Sequence, residues 1–208
     1  LYGLYADVTD TVELWYQVLW TDAESQIELM TEKLDSLEGR SLKMPRKLRD
    51  WPAYKTLSTT IQDFKTVLPL LVSLSHPSVE SRHWAGVMKV TGKKFDVTGS
   101  EFTLQTLLEA GIARHAEDIE EICEAAQKQL GIKNKMNDIK NRWSIEAFEF
   151  GNWKTRDVPV LTKVVPVLEE LEEAQMNCQT MLTMRHVAPF KDPITLLLTT
   201  LSDTYETA

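Results

Sequence analysis

Between His115 and Trp143 apolar residues recur every third or fourth position: Ile119, Ile122, Ala126, Ile132, Met136, Ile139 and Trp143, with Gln129 or Leu130 filling the turn between. That spacing places them on one face of a helix. A helix of about 29 residues rises 1.5 Å per residue and runs roughly 43 Å, longer than a small domain is wide. Its start is acidic, with Glu117-Asp118, Glu120-Glu121 and Glu124. These read as a solvated face, set where the helix dipole favours negative charge. Gly131 weakens the middle by about 1 kcal/mol relative to Ala.

The remaining chain has to pack around or beside this element, and most of it carries the same period. Leu4, Tyr5, Val8, Val12, Trp15 and Leu19 predict a helix over 1–20. Thr21 with Glu24 reads as a capping box. A second helix carries Ile27, Met30, Leu34 and Leu37 and ends at or near Gly39. Pro45 suits the first turn of a third helix, and Pro52 a restart. Tyr54, Leu57, Ile61, Phe64 and Leu68 form the next stripe, with a kink at Pro69. His76-Pro77-Ser78 is a turn, with Ser78 as the cap of a helix that carries Trp84 and ends at a left-handed Gly92. Residues 93–101 read as a loop with one short extended piece around Phe95. Thr103 then caps a short helix, with Phe102 stapled on Leu107 and a stop or kink at Gly111. Beyond the long helix, Ala147, Phe148 and Phe150, then Gly151-Asn152, then Val158, Val160 and Leu161 give a small hairpin. Pro166 opens a helix with Leu168, Leu171, Gln175, Cys178 and Leu182, and Asp192-Pro193 caps the last. The expectation is a mainly α protein: an elongated multi-helix bundle with one long helix and one small β-hairpin. It divides into two helical sub-bundles, about 1–92 and 93–208.

A chain of 208 residues buries roughly 70% of its unfolded surface and needs no disulfide or metal staple. Cys123 and Cys178 fall at apolar-flanked helical positions and read as two buried free thiols, which suits a reducing compartment. The net charge of -8 argues against a phosphate backbone or an anionic membrane as partner. The one basic cluster, Lys43 to Arg49, reads as a solvated helix start. No run of about 18 apolar residues offers a membrane span. The chain begins at Leu1 and stops inside helical periodicity, so both ends read as cuts in a longer polypeptide.

Motifs that would carry chemistry fail on spacing. Gly86-Val87-Met88-Lys89-Val90-Thr91-Gly92-Lys93-Lys94 has five residues between its glycines, Lys94 where a Mg²⁺-binding hydroxyl is needed, and a helix where a strand should precede. Glu80-x-x-His83 is half of a di-iron helix pair without its second half. The four histidines are scattered. Trp84, flanked by Arg82 and His83, reads as a packing anchor.

One resemblance extends this reading. Arg82-His83-Trp84, then Thr91-Gly92 and Phe95, then Phe102-Thr103-Leu104 with Leu107-Leu108, then a long helix closing on Trp143, resembles the linker region of dynein heavy chains. Trp51-Pro52-Ala53-Tyr54, the stretch from Phe64 to Leu71, Glu117 to Ile122, and Met181 to Phe190 extend the likeness over most of the chain. It is closer to axonemal than to cytoplasmic dyneins. The resemblance implies the N-terminal part of a mechanical arm that lies across a ring of AAA+ modules and swings as ATP turns over. On that reading Arg82, His83, Trp84, Phe102, Leu104, Leu107 and Trp143 are signature and core positions. No residue here is catalytic, and no cofactor or metal is bound. ATP and Mg²⁺ would belong to the ring of the parent chain, a microtubule motor ATPase. The implied partners are that ring, other dynein chains and neighbouring axonemal proteins, with no nucleic acid and no membrane. The implied location is the axoneme of a cilium or flagellum, or the cytoplasm as the alternative. The rival reading is a helical scaffold or tail module that only holds partner proteins.

Overall fold

A computed structural model describes residues 1–99, 101–152, 154, 159–162 and 164–207. Among them are eight α-helices: α1 Tyr2–Tyr16, α2 Trp20–Leu42, α3 Pro52–Ser75, α4 Ser81–Thr91, α5 Leu104–Glu109, α6 Ala116–Ile145, α7 Val164–Leu182 and α8 Lys191–Thr207. Short 3-10 turns lie at Arg46–Leu48, Ile112–His115 and Ala188–Phe190. The predicted hairpin is present as two antiparallel strands, β1 Glu149–Asn152 and β2 Pro159–Thr162, with Gly151 opposite Val160. Val158, placed in that hairpin from the sequence, lies outside the described residues.

The chain forms two compact units, Leu1–Ala126 and Gln127–Ala208. The boundary therefore falls inside α6, not near residue 92 as the sequence suggested. The reason is where the apolar groups of 93–126 go. Phe102, Leu104, Leu107, Ile112, Ile119 and Cys123 all join the same core as α1, α2 and α3.

In the first unit, α1 turns Leu4, Val8, Val12 and Trp15 inward, and α2 turns Ile27, Met30, Leu34 and Leu37. The predicted stripe of α3 is buried throughout, and the helix runs on through Pro69. An internal proline costs about 3 kcal/mol or more. Here Val67, Leu68, Leu70, Leu71 and Leu74 are all buried around it, which offsets that penalty.

Several predicted ends move. Helix α1 stops at Tyr16, and α2 starts at Trp20 with Leu19 at its cap position and no side-chain cap bond. Thr21 therefore sits inside the helix and forms no capping box. Gly39 is helical, and α2 continues to Leu42. Pro45 precedes only the 3-10 turn, whereas Pro52 does open α3. No strand forms around Phe95 among the described residues. Helix α8 begins at Lys191, so Asp192 lies in its first turn and does not cap it.

The second unit is built on α7 and α8. Gln175 donates to the Leu201 carbonyl and the Tyr205 hydroxyl donates to Glu172, so the two helices run antiparallel. Ile132 from α6 joins Leu171, Cys178, Met181, Ile194 and Leu201 in its core.

Candidate functional site

The signature stretch opens at Glu80. Ser78, expected as the cap of α4, instead closes the turn before it: its Oγ lies 2.8 Å from Nδ1 of His76, and its N–H donates to the same nitrogen at 3.1 Å. Glu80 is the N-cap. Its backbone N–H donates to Nδ1 of His83 at 2.9 Å, while its carboxylate accepts from the backbone N–H of His83. This is a reciprocal capping box with histidine at the third helical position, where Glu or Gln is usual. Because Nδ1 accepts, the neutral ring carries its proton on Nε2. Arg82 stays at the surface and pairs with the Glu80 carboxylate at 3.1 Å. The Glu80-x-x-His83 spacing thus builds a helix start and no metal half-site.

With the helix start fixed, the next residue points inward. Trp84 is buried and meets three rings edge-on: Trp20 at 5.2 Å, Phe95 at 5.9 Å and Phe102 at 6.0 Å between centroids. Phe95 and Phe102 stack at 5.0 Å with planes 16° apart. Such edge-to-face and offset pairs are each worth about 0.5–1.5 kcal/mol beyond their buried area.

Backbone bonds hold the cluster closed. Trp20 N–H donates to the Phe102 carbonyl and Leu104 N–H to the Val18 carbonyl, both at 2.9 Å. The α1–α2 junction is thereby clamped to the segment before α5. Thr103 occupies the cap position of α5, yet its hydroxyl makes no cap bond and lies 3.4 Å from the Thr106 hydroxyl. Leu104 and Leu107 are fully buried in the same core. Trp143, the last signature position, belongs to the second unit, half-buried against that unit's core.

Two glycines shape α4. Gly92 ends it at φ 68°, a left-handed conformation that an L side chain rarely adopts. A Cβ on Gly86 would stand 3.3 Å from Cδ1 of Ile122, so a glycine lets α4 lie close on α6. Beyond Gly92, Asp96 accepts from the amide and hydroxyl of Thr98, and the Thr98 hydroxyl, above all, lowers its carboxyl from the usual value. The stretch from Gly86 to Lys94 is therefore a helix, its left-handed cap and the start of a loop. Among the described residues no three His, Cys, Asp or Glu side chains converge where they could hold a metal ion. The arrangement is a packed aromatic clamp, suited to fixing helices against one another.

The profile of the family described as dynein heavy chain, N-terminal region 2, matches residues 1–208. The chain belongs to the dynein heavy chain family. It is 38% identical over 212 residues to the dynein gamma chain of the flagellar outer arm of Chlamydomonas reinhardtii, covering 99% of this chain and 5% of that protein. It is 32% identical over 196 residues to human dynein axonemal heavy chain 8, covering 93% of this chain and 4% of that one. The alpha chain of the Chlamydomonas flagellar outer arm is 30% identical over 195 residues. The family relationship is of the axonemal type. This chain spans about one twentieth of the length of these dynein heavy chains. Sequence alone missed Trp20 as a cluster member and Glu80 as the cap; the carboxylate three residues before His83 was the signal for the second.

Proposed function

We propose that this chain is part of the linker of an axonemal dynein heavy chain. In this reading it is a passive mechanical element of a microtubule motor in the axoneme of a cilium or flagellum. It lies across the AAA+ ring of its own polypeptide and bends and straightens as the ring turns over ATP. Catalysis, with its ATP and Mg²⁺, belongs to the ring. Other dynein chains and neighbouring axonemal proteins are the further partners.

The observation that carries the reading is the match of the whole chain to one region of dynein heavy chains, flagellar and axonemal relatives included. Two features support it. Helices held by a buried aromatic clamp resist deformation within a unit, and packed interfaces switch between discrete arrangements instead of deforming gradually. The Gly86 to Lys94 segment is taken up by α4 and its left-handed cap at Gly92.

Cryo-electron microscopy of the whole heavy chain tests this, without nucleotide and with ADP-vanadate. Residues 1–208 are expected on the face of the ring, at different positions in the two states. A position remote from the ring in both states would overturn the linker reading in favour of a helical scaffold.

A further inference from the structure

The second unit holds an apolar slot that has no part in the linker reading. It has a volume of about 140 Å³ and lies where α7 and α8 meet the end of α6 and the short stretch before β1. Trp143, Phe148, Leu171 and Leu201 give it apolar walls. An apolar cavity of about 150 Å³ takes up a molecule the size of benzene. This slot therefore has room for a single side chain.

Its rim offers acceptors. Glu146 is exposed and, among the described residues, is the one charged group lining the slot; its carboxylate has no hydrogen bond or ion pair there. Thr200 and Thr204 line the same slot. The Thr200 hydroxyl donates to the Leu196 carbonyl at 3.0 Å and the Thr204 hydroxyl to the Thr200 carbonyl at 2.7 Å, so both protons are spent and the oxygens keep lone pairs to offer. The surroundings have the same sign. Helix α7 has Glu169, Glu170, Glu172 and Glu173 and no Lys or Arg. Arg142 answers Glu170, while Glu169 and Glu173 have no partner among the described residues. Over residues 197–207, α8 has Asp203 and Glu206 and no cation.

We propose that this slot is a docking site for a partner protein that inserts the side chain of a lysine. The aliphatic stem lies along the apolar walls while the ammonium stays at the wet rim, as long cationic side chains do on apolar surfaces. There it donates to the Glu146 carboxylate and the two threonine oxygens, and a hydrogen bond between charged groups is the stronger kind. A carboxylate in its place is repelled by Glu146, and a purely apolar side chain gains nothing from the rim. The negative surroundings draw a basic segment and turn away an acidic one. The site belongs to the second unit alone and does not depend on the chain's place on a ring.

The test uses the 208-residue chain, labelled at leucine methyls and tryptophan indoles, and an end-capped Gly-Gly-Lys-Gly-Gly peptide. Titration should shift the Leu201 methyl and Trp143 indole signals saturably, with Kd on the order of 1–10 mM for so small a probe. The same peptide with norleucine for lysine should bind at least about fivefold more weakly. Glu146→Gln should weaken the lysine peptide to a similar degree, at least about fivefold, and leave the Tm at the parent value, since Glu146 is exposed. Glu173→Gln removes an equally unpartnered charge that does not line the slot, and should change Kd less than about twofold. Absence of saturation to about 50 mM in the parent chain would overturn the proposal. So would equal binding of the norleucine peptide, which would leave a plain apolar cavity. Equal weakening by the two glutamine variants would reduce the attraction to the general negative charge of the chain and likewise overturn it.

Discussion

Glu80 donates its backbone N–H to Nδ1 of His83 at 2.9 Å, so the histidine of the signature stretch acts as a helix cap. A cap bond of this kind contributes about 0.5–2 kcal/mol. His83→Leu keeps the bulk of the ring but removes the acceptor, and should cost about 1 kcal/mol in urea unfolding of the chain. His83→Gln restores an acceptor of the kind usual at this position and should recover most of that loss. Equal destabilisation by both would show that ring packing, not the cap, is what His83 supplies.

Trp84 and Trp51 separate burial from mere presence in the family resemblance. Trp84 is 5% exposed at the centre of four rings, whereas Trp51 is 47% exposed before α3. Trp84→Ala should cost about 3–5 kcal/mol, the range for emptying a core aromatic site. Trp51→Ala should stay near 0.5 kcal/mol, as for surface positions away from special features. Near-ultraviolet circular dichroism gives a second readout, since the Trp20–Trp84 edge contact at 5.2 Å is lost only in the first variant.

The elements that could be read from sequence are those fixed by local period. Ile27, Met30, Leu34 and Leu37 lie on one face by spacing alone, and so they pack. Helix ends depended on distant chain. Leu19 takes the cap position of α2 because Val18 and Trp20 are bonded to Leu104 and Phe102, far off in sequence, and Thr21 never gets the chance. The unit boundary was hidden for the same reason: Ile112, Ile119 and Cys123 bury themselves in a core that local pattern cannot locate. At the clamp, the signature residues were legible and the histidine's task was not, since Glu-x-x-His serves a metal or a cap equally well until the backbone is seen.

Cys123 offers a pH test of that first core. Burial, with a smaller contribution from Glu120, pushes its thiol up from 9.0 to about 11, and burial also raises Cys178. In the folded chain Cys123 stays protonated while the unfolded chain already ionises. Its contribution to stability is therefore complete below pH 9 and is lost as pH rises through 11. Ellman's reagent at pH 8 should react slowly with the native chain and at once with the urea-unfolded one, because the thiolate is the nucleophile. The Cys123→Ala variant should lose less stability than the parent chain between pH 9 and 11. An identical decline in both would remove this thiol from the account.

Helix α6 gives the prediction that bears on mechanics. Its 30 residues from Ala116 to Ile145 make about 45 Å of helix at 1.5 Å per residue. If the chain works as an arm, a helix this long carries displacement only while its hydrogen-bond ladder is unbroken. Gly131 is the place to break it, because a new side chain meets no neighbour there. Gly131→Pro removes one ladder bond and clashes with the preceding turn, at about 3 kcal/mol or more. Gly131→Ala adds a Cβ at the same place and strengthens the helix by about 1 kcal/mol, so it controls for the loss of the glycine itself. In a heavy chain carrying each substitution, basal ATPase of the ring should be largely kept by both. Microtubule gliding should slow with proline and hold with alanine. Parent-speed gliding by the proline variant, with its kink confirmed by cryo-electron microscopy, would show that α6 is no strut. A parallel fall in ATPase and gliding would mean instead that the substitution unfolds the arm as a whole.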